Sequence, residues 1–237
     1  MGRRRIPTLL VLIAIVFMIA SCKTVATTSE YTEENYEYVY NLVLDRSRSD
    51  AVLNLFINLN EGKEDMIPAD YSFLKEYRYR VPGLDRILTN WSKTTRELLV
   101  PNFDVFQKFV TELFSSTQKP DCKVVIEAGG DSISQYLREQ CSAEMVADIN
   151  AFITDLDVSA WRETTVQYSA WVNTREHLYE EDNPEIKAIP SDDEIREMLS
   201  QHLVDLFFTF LSKYETLFRT TPDPEMDSLA ASILGLQ

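Results

Sequence analysis

Apart from carboxylates, few side chains in this chain can do chemistry: three cysteines (Cys22, Cys122, Cys141), two histidines (His177, His202) and 38 Asp plus Glu. His202 falls in an apolar stripe one turn after Met198, where a satisfied or partly exposed bundle histidine is expected. His177 stands near Arg175, Glu176 and Glu180, the composition of a solvated face. Neither lies in a His-Glu-x-x-His arrangement. There is no Gly-x-Ser-x-Gly elbow and no glycine-rich phosphate loop. Asp155 with Asp157, or Glu180-Glu181-Asp182, could bind Ca²⁺ weakly, but without a spaced EF-hand loop they read as solvated acids. Gly129-Gly130-Asp131 reads as a turn and cap, since an acid beside the turn disfavours an anion. We therefore expect no catalytic residue, no metal and no cofactor, and rank a hydrolytic enzyme last.

Cys22 carries a stronger signal. Arg3, Arg4 and Arg5 precede a nearly continuous apolar run from Leu9 to Ala20, which ends at Ser21 and Cys22. A basic start, an apolar middle and small residues at the end form an export signal. The run falls short of the roughly 20 residues a spanning helix needs. Ile19-Ala20-Ser21-Cys22 looks like a bacterial lipobox. That resemblance implies a diacylglycerol on the Cys22 thiol, cleavage before it, and acylation of the new amino terminus. Several acyl chains hold a protein at a membrane where one holds it weakly. An ordinary signal with Cys22 incidental, or a retained signal anchor, are the alternatives. Residues 1–21 are thus expected to be a signal peptide, 22–30 a lipidated tether, and 31–237 a single helical domain.

Outside the cytoplasm, Cys122 and Cys141 become a candidate disulfide. They flank Gly129-Gly130, but Cys141 lies about four residues farther from the turn, roughly 6 Å along a helix. A bridge would need tilt or a frayed end, because its Cα atoms must lie within about 7 Å. Two free thiols are the competing reading.

Composition narrows the partners. The 237-residue chain has a formal charge of −15, and removal of residues 1–21 leaves 20 basic and 38 acidic side chains. Nucleic acid requires a basic footprint, so no nucleic-acid partner is expected. Anionic lipid would repel such a body, leaving membrane attachment to the acyl chains on Cys22.

Periodicity predicts an all-α protein, an irregular antiparallel helical bundle. Tyr36, Val39, Tyr40, Val43, Val52, Leu55 and Leu59 follow steps of three and four, with Asp45 to Asp50 as a candidate break into two helices. Pro82-Gly83 opens a unit, Pro101 ends its helix or begins the next, and Asn102 can cap a helix burying Phe103, Phe106, Phe109, Val110, Leu113 and Phe114. Pro120 suits a first helical turn, Asp131 or its neighbour a cap after the glycines, and Ser142 a further cap. A helix is expected from Ser159 to about Tyr179, with Trp91, Trp161 and Trp171 as core anchors. Ser191 with Glu194 forms a capping box opening the clearest helix, which runs to Phe218. Tyr31, Tyr36, Tyr38 and Tyr40 could form a contact patch, although Tyr38 would not share the face of Tyr36 and Tyr40.

Ile126-Glu127-Ala128-Gly129-Gly130-Asp131-Ser132, Tyr136-Leu137-Arg138, Ala143-Glu144-Met145, Tyr168, Leu206-Phe207, Phe218-Arg219, Pro222, Leu229 and Ile233-Leu234-Gly235 occur in that order. This order resembles the exported bacterial helical family called domain of unknown function 4197, over about residues 71–235. That family's Met-Asn-Arg run is missing, Ser92-Lys93-Thr94 standing in its place. The resemblance implies a helical fold and no particular activity. The expectation is a lipid-anchored cell-envelope protein with a structural or protein-interaction role and an envelope protein partner. The alternative is a carrier of an apolar ligand in an inter-helix groove.

Overall fold

In the computed structural model, residues 31–174, 189–221, 223 and 226–236 are described. All regular elements among them are helical, as the periodicity predicts. Residues from Glu33 onward pack as one unit. The α-helices are α1 (Glu33–Glu61), α2 (Leu74–Tyr77), α3 (Leu84–Leu99), α4 (Phe103–Ser116), α5 (Cys122–Ala128), α6 (Ser132–Phe152), α7 (Ser159–Val172), α8 (Asp192–Thr220) and α9 (Ser228–Ile233).

Helices α1 and α8 have 29 residues each, about 44 Å of helix. They pack along one another and form the centre of the bundle. Helix α6 lies on α8, α5 and α9 on α1, and α3 on α7. The apolar stripe of α1 is buried throughout, from Tyr36 to Leu59. On α8 the row Leu199, Leu203, Phe207 and Leu211 is buried at four-residue steps. Phe207 packs edge-on to Phe106 and tilted against Phe114, with centroids 5.8 and 6.0 Å apart. A second aromatic cluster joins Trp91 to Trp161 at 5.5 Å, and the Trp91 Nε1–H donates to the Met66 carbonyl at 2.6 Å. Trp91 and Trp161 are fully buried, whereas Trp171 is half-buried.

Several boundaries differ from expectation. Helix α1 is unbroken across Asp45 to Asp50, because that run is polar but contains no helix breaker. Ser47 is buried there, and Arg48 pairs with Asp45 at 3.1 Å. Helix α6 likewise passes through Ser142 without a new start, carried by the buried row Leu137, Cys141, Met145 and Ile149. Asn102 caps nothing: its amide donates back to the Leu98 carbonyl at 2.7 Å, and a 3₁₀ turn over Val100–Asn102 links α3 to α4. Helix α5 begins after Pro120, at Cys122, with the Asp121 carboxylate accepting from the Val124 amide at 3.1 Å. Helix α7 stops at Val172, short of the expected Tyr179: Asn173 is its C-cap and the Thr174 amide turns back to the Trp171 carbonyl, while residues 175–179 lie outside the described residues.

The capping box is present: the Ser191 hydroxyl accepts from the Glu194 amide at 3.3 Å, and the Glu194 carboxylate accepts from the Ser191 amide at 2.7 Å. The aromatic segment before α3 is a 3₁₀ turn over Ala69–Tyr71 followed by the single-turn α2.

Candidate binding cleft

The turn at Gly129-Gly130 joins α5 to α6. Both glycines have positive φ, and Gly129 at φ 70, ψ −164 occupies a region essentially reserved for glycine. Asp131 takes the cap position of α6, but its side chain does not cap. It accepts instead from Gln135 Nε2 at 2.7 Å and from Ser212 Oγ of α8 at 2.5 Å. The cap comes from α8. Glu215 accepts from the amides of Ile133 at 2.9 Å and Ser134 at 2.7 Å, and from the Ser134 hydroxyl at 2.5 Å. Arg219, one turn on, pairs with Glu215 at 2.8 Å and donates to the Ile126 carbonyl of α5 at 3.1 Å. Glu215 and Arg219 are only 1% and 5% exposed. The acid thus faces the positive end of α6 and the base the negative end of α5, the favourable sense for both helix dipoles. This pair escaped sequence reading. Its signal was register: Leu199, Leu203, Phe207, Leu211, Glu215 and Arg219 form one four-residue row, so two charges continue a buried stripe.

Cys122 and Cys141 are unbridged. The Cys141 thiol donates to the Leu137 carbonyl at 2.9 Å, and burial pushes it up to about 11. Burial also raises Cys122, which is half-buried. Cys22, His177 and Glu180 to Asp182 lie outside the described residues.

The tyrosines do not form one patch. Tyr36 and Tyr40 are buried, and the Tyr36 hydroxyl donates to Glu127 at 2.8 Å. Burial raises the Tyr40 phenol well above its usual range. Tyr38 faces another direction, as the helical spacing requires, and its hydroxyl bonds Asp227 at the start of α9. Hydrogen bonding to that phenol is the first cause of the lowered Asp227 pKa.

His202 lines an open cleft with Asp70, Glu194, Glu197 and Asp205. Its Nε2 lies 3.0 Å from the Asp65 carbonyl oxygen. Glu194 is engaged by Ser191, and Asp205 by Arg138. Among the described residues no group of His, Cys, Asp or Glu could hold a metal ion.

The better-formed concavity is apolar. It is enclosed by Leu55, Phe56 and Leu59 of α1, Leu99 of α3, Val105, Phe106 and Phe109 of α4, Ile149 and Phe152 of α6, and Leu203 of α8. Its volume is about 180 Å³, and Asn102 and Asp148 supply its polar margin. Phe103, Phe106 and Phe109, expected in the core, are only half-buried. Val105 and Phe152 at the mouth are 55% and 41% exposed. Helix α4 thus buries Val110, Leu113 and Phe114 but leaves its first two turns incompletely covered.

An all-α bundle with a side-chain-sized apolar cleft among the described residues is the class of protein these features define. No family model, no curated protein and no solved structure matches the chain.

Proposed function

We propose that the chain is a lipid-anchored cell-envelope protein whose helical body binds another envelope protein through the α1–α3–α4–α6–α8 cleft. The anchor reading rests on Cys22, placed behind Ile19-Ala20-Ser21 at the end of a basic and then apolar stretch. No helix of the described residues is long and apolar enough to cross a membrane; in this reading the acyl chains on Cys22 make the attachment.

The observation that carries the binding role is the cleft's size and opening. Small-molecule pockets run from about 300 Å³ upward, whereas a dry cavity near 150 Å³ holds a single benzene ring. At about 180 Å³ the cleft fits one ring or branched side chain, the size of an anchoring hot-spot residue. Exposed Val105 and Phe152 offer apolar surface around that anchor. A carrier of apolar ligands is the second reading. The apolar lining favours it, but this volume limits it to ring-sized cargo.

Two measurements test the proposal. Mass analysis of protein from its native cells is expected to find a chain beginning at acylated Cys22, and Cys22→Ala to leave the membrane fraction. In-cell photocrosslinking from position 105 is expected to trap an envelope protein. An unmodified thiol at residue 22 removes the anchor. Trapping lipid alone transfers the cleft to the carrier reading.

A further inference from the structure

The charges beside the cleft specify what would enter it, an argument that rests on the docking role above. Glu144 and Asp148 stand four residues apart on α6, both exposed, and Asp148 lines the cleft. Neither makes a hydrogen bond or an ion pair among the described residues. Some carboxylates elsewhere are matched, as Glu37 is by Lys119, Asp85 by Arg78, Asp192 by Arg162 and Asp205 by Arg138, whereas these two at the cleft edge are left to solvent. Two like charges one helical turn apart repel, so this edge of the cleft gains from an incoming cation. The cleft floor is apolar and offers a charge nothing.

We infer that the cleft takes one aromatic or branched apolar side chain of a basic amphipathic segment of another protein, with its lysines or arginines settling against Glu144 and Asp148. A second copy of this chain fits poorly. Its mature body has 38 acids against 20 bases, and a two-fold contact at this face would set Glu144 and Asp148 near their own counterparts. The chain's own Arg3, Arg4 and Arg5 belong to the segment that signal cleavage would remove. An anionic bilayer surface would meet the same two acids.

The test uses the full mature chain in a neutral non-ionic detergent. The probe is a fluorescent Leu/Lys amphipathic peptide of about 14 residues with one central Trp, long enough to dock as a helix. Saturable binding is expected by anisotropy. Replacing the peptide Trp by Ala is expected to weaken it about tenfold or more, as for a hot-spot anchor. Glu144→Gln with Asp148→Asn is expected to weaken it about three- to fivefold and flatten its salt dependence. These positions are exposed, so unchanged circular dichroism will accompany the loss. Equal binding by a Lys→Glu peptide, no effect of the two substitutions, or free indole binding as tightly as the peptide would each overturn the inference. If the peptide fails while crosslinking at position 105 still traps a protein, the cationic partner is wrong and the docking surface stands. If crosslinking traps nothing, the docking surface itself fails.

Discussion

Glu215 and Arg219 hold each other in a place neither could occupy alone. A carboxylate buried to 1% exposure is tolerable because three donors and a guanidinium surround it. Removing either partner strands the other charge. Glu215→Ala is therefore expected to destabilise the fold by about 3–5 kcal/mol in urea unfolding, with Arg219→Met comparable. Because Glu215 also caps α6, the double substitution should still cost stability, yet clearly less than the two single losses together. Additive losses would mean that the two side chains act separately. The thiols supply a second test at this scale. Cys141 is buried and pushed up to about 11, while Cys122 is part-exposed and raised for the same reason. At about pH 8, where thiolate is the reacting species, alkylation of the folded protein should label Cys122 first and leave Cys141 until denaturant is added. Recovery of neither thiol without reductant would instead indicate the bridge.

Among the elements, α8 has the best-defined beginning. Asp192, Asp193 and Glu194 occupy its first turn, where acids suit the dipole, and Ser191 closes the box. The Ser191 amide, and then its hydroxyl, hold Glu194 below its ordinary 4.5. A depressed carboxylate stabilises the fold above its unfolded-state value. That contribution disappears as pH falls below 4.5 and through the lower folded-state value. Ser191→Ala is expected to cost about 1 kcal/mol. It should also move the Glu194 titration, followed by NMR, upward but not fully to its ordinary value, since the residue 191 amide still donates. An unmoved titration would show that the hydroxyl plays no part.

For the whole molecule, charge sets the behaviour. An excess of 18 acids on residues 22–237 makes the compact state self-repelling, against which the exposed ion pairs weigh little. Salt screens both, and the repulsion extends over the longer range. Raising ionic strength from about 0.01 M to about 0.15 M, which shortens the screening length from about 30 to 8 Å, is expected to raise the melting temperature. A fall would place the surface pairs, such as Arg138 with Asp205, above the net repulsion.

The primary structure by itself determined the helical class, the buried stripes of α1 and α8, the box at Ser191 and Glu194 and the divergence of Tyr38 from Tyr36 and Tyr40. Each is a matter of period or local hydrogen bonding, expressed within a few residues. Helix ends were less legible: Asp45 to Asp50 is a polar run without a helix breaker, and Ser142 has the chemistry of a cap, yet the apolar rows on either side continue through both and the helices do not stop. Tertiary structure alone decided that Glu215 caps a helix 81 residues away in sequence, that Asp131 turns to Ser212 instead, and that Phe106 and Phe109 line a cleft. A stripe shows that a face is apolar. It carries no information on how completely other helices cover that face, because coverage depends on interhelical distances that no local pattern encodes.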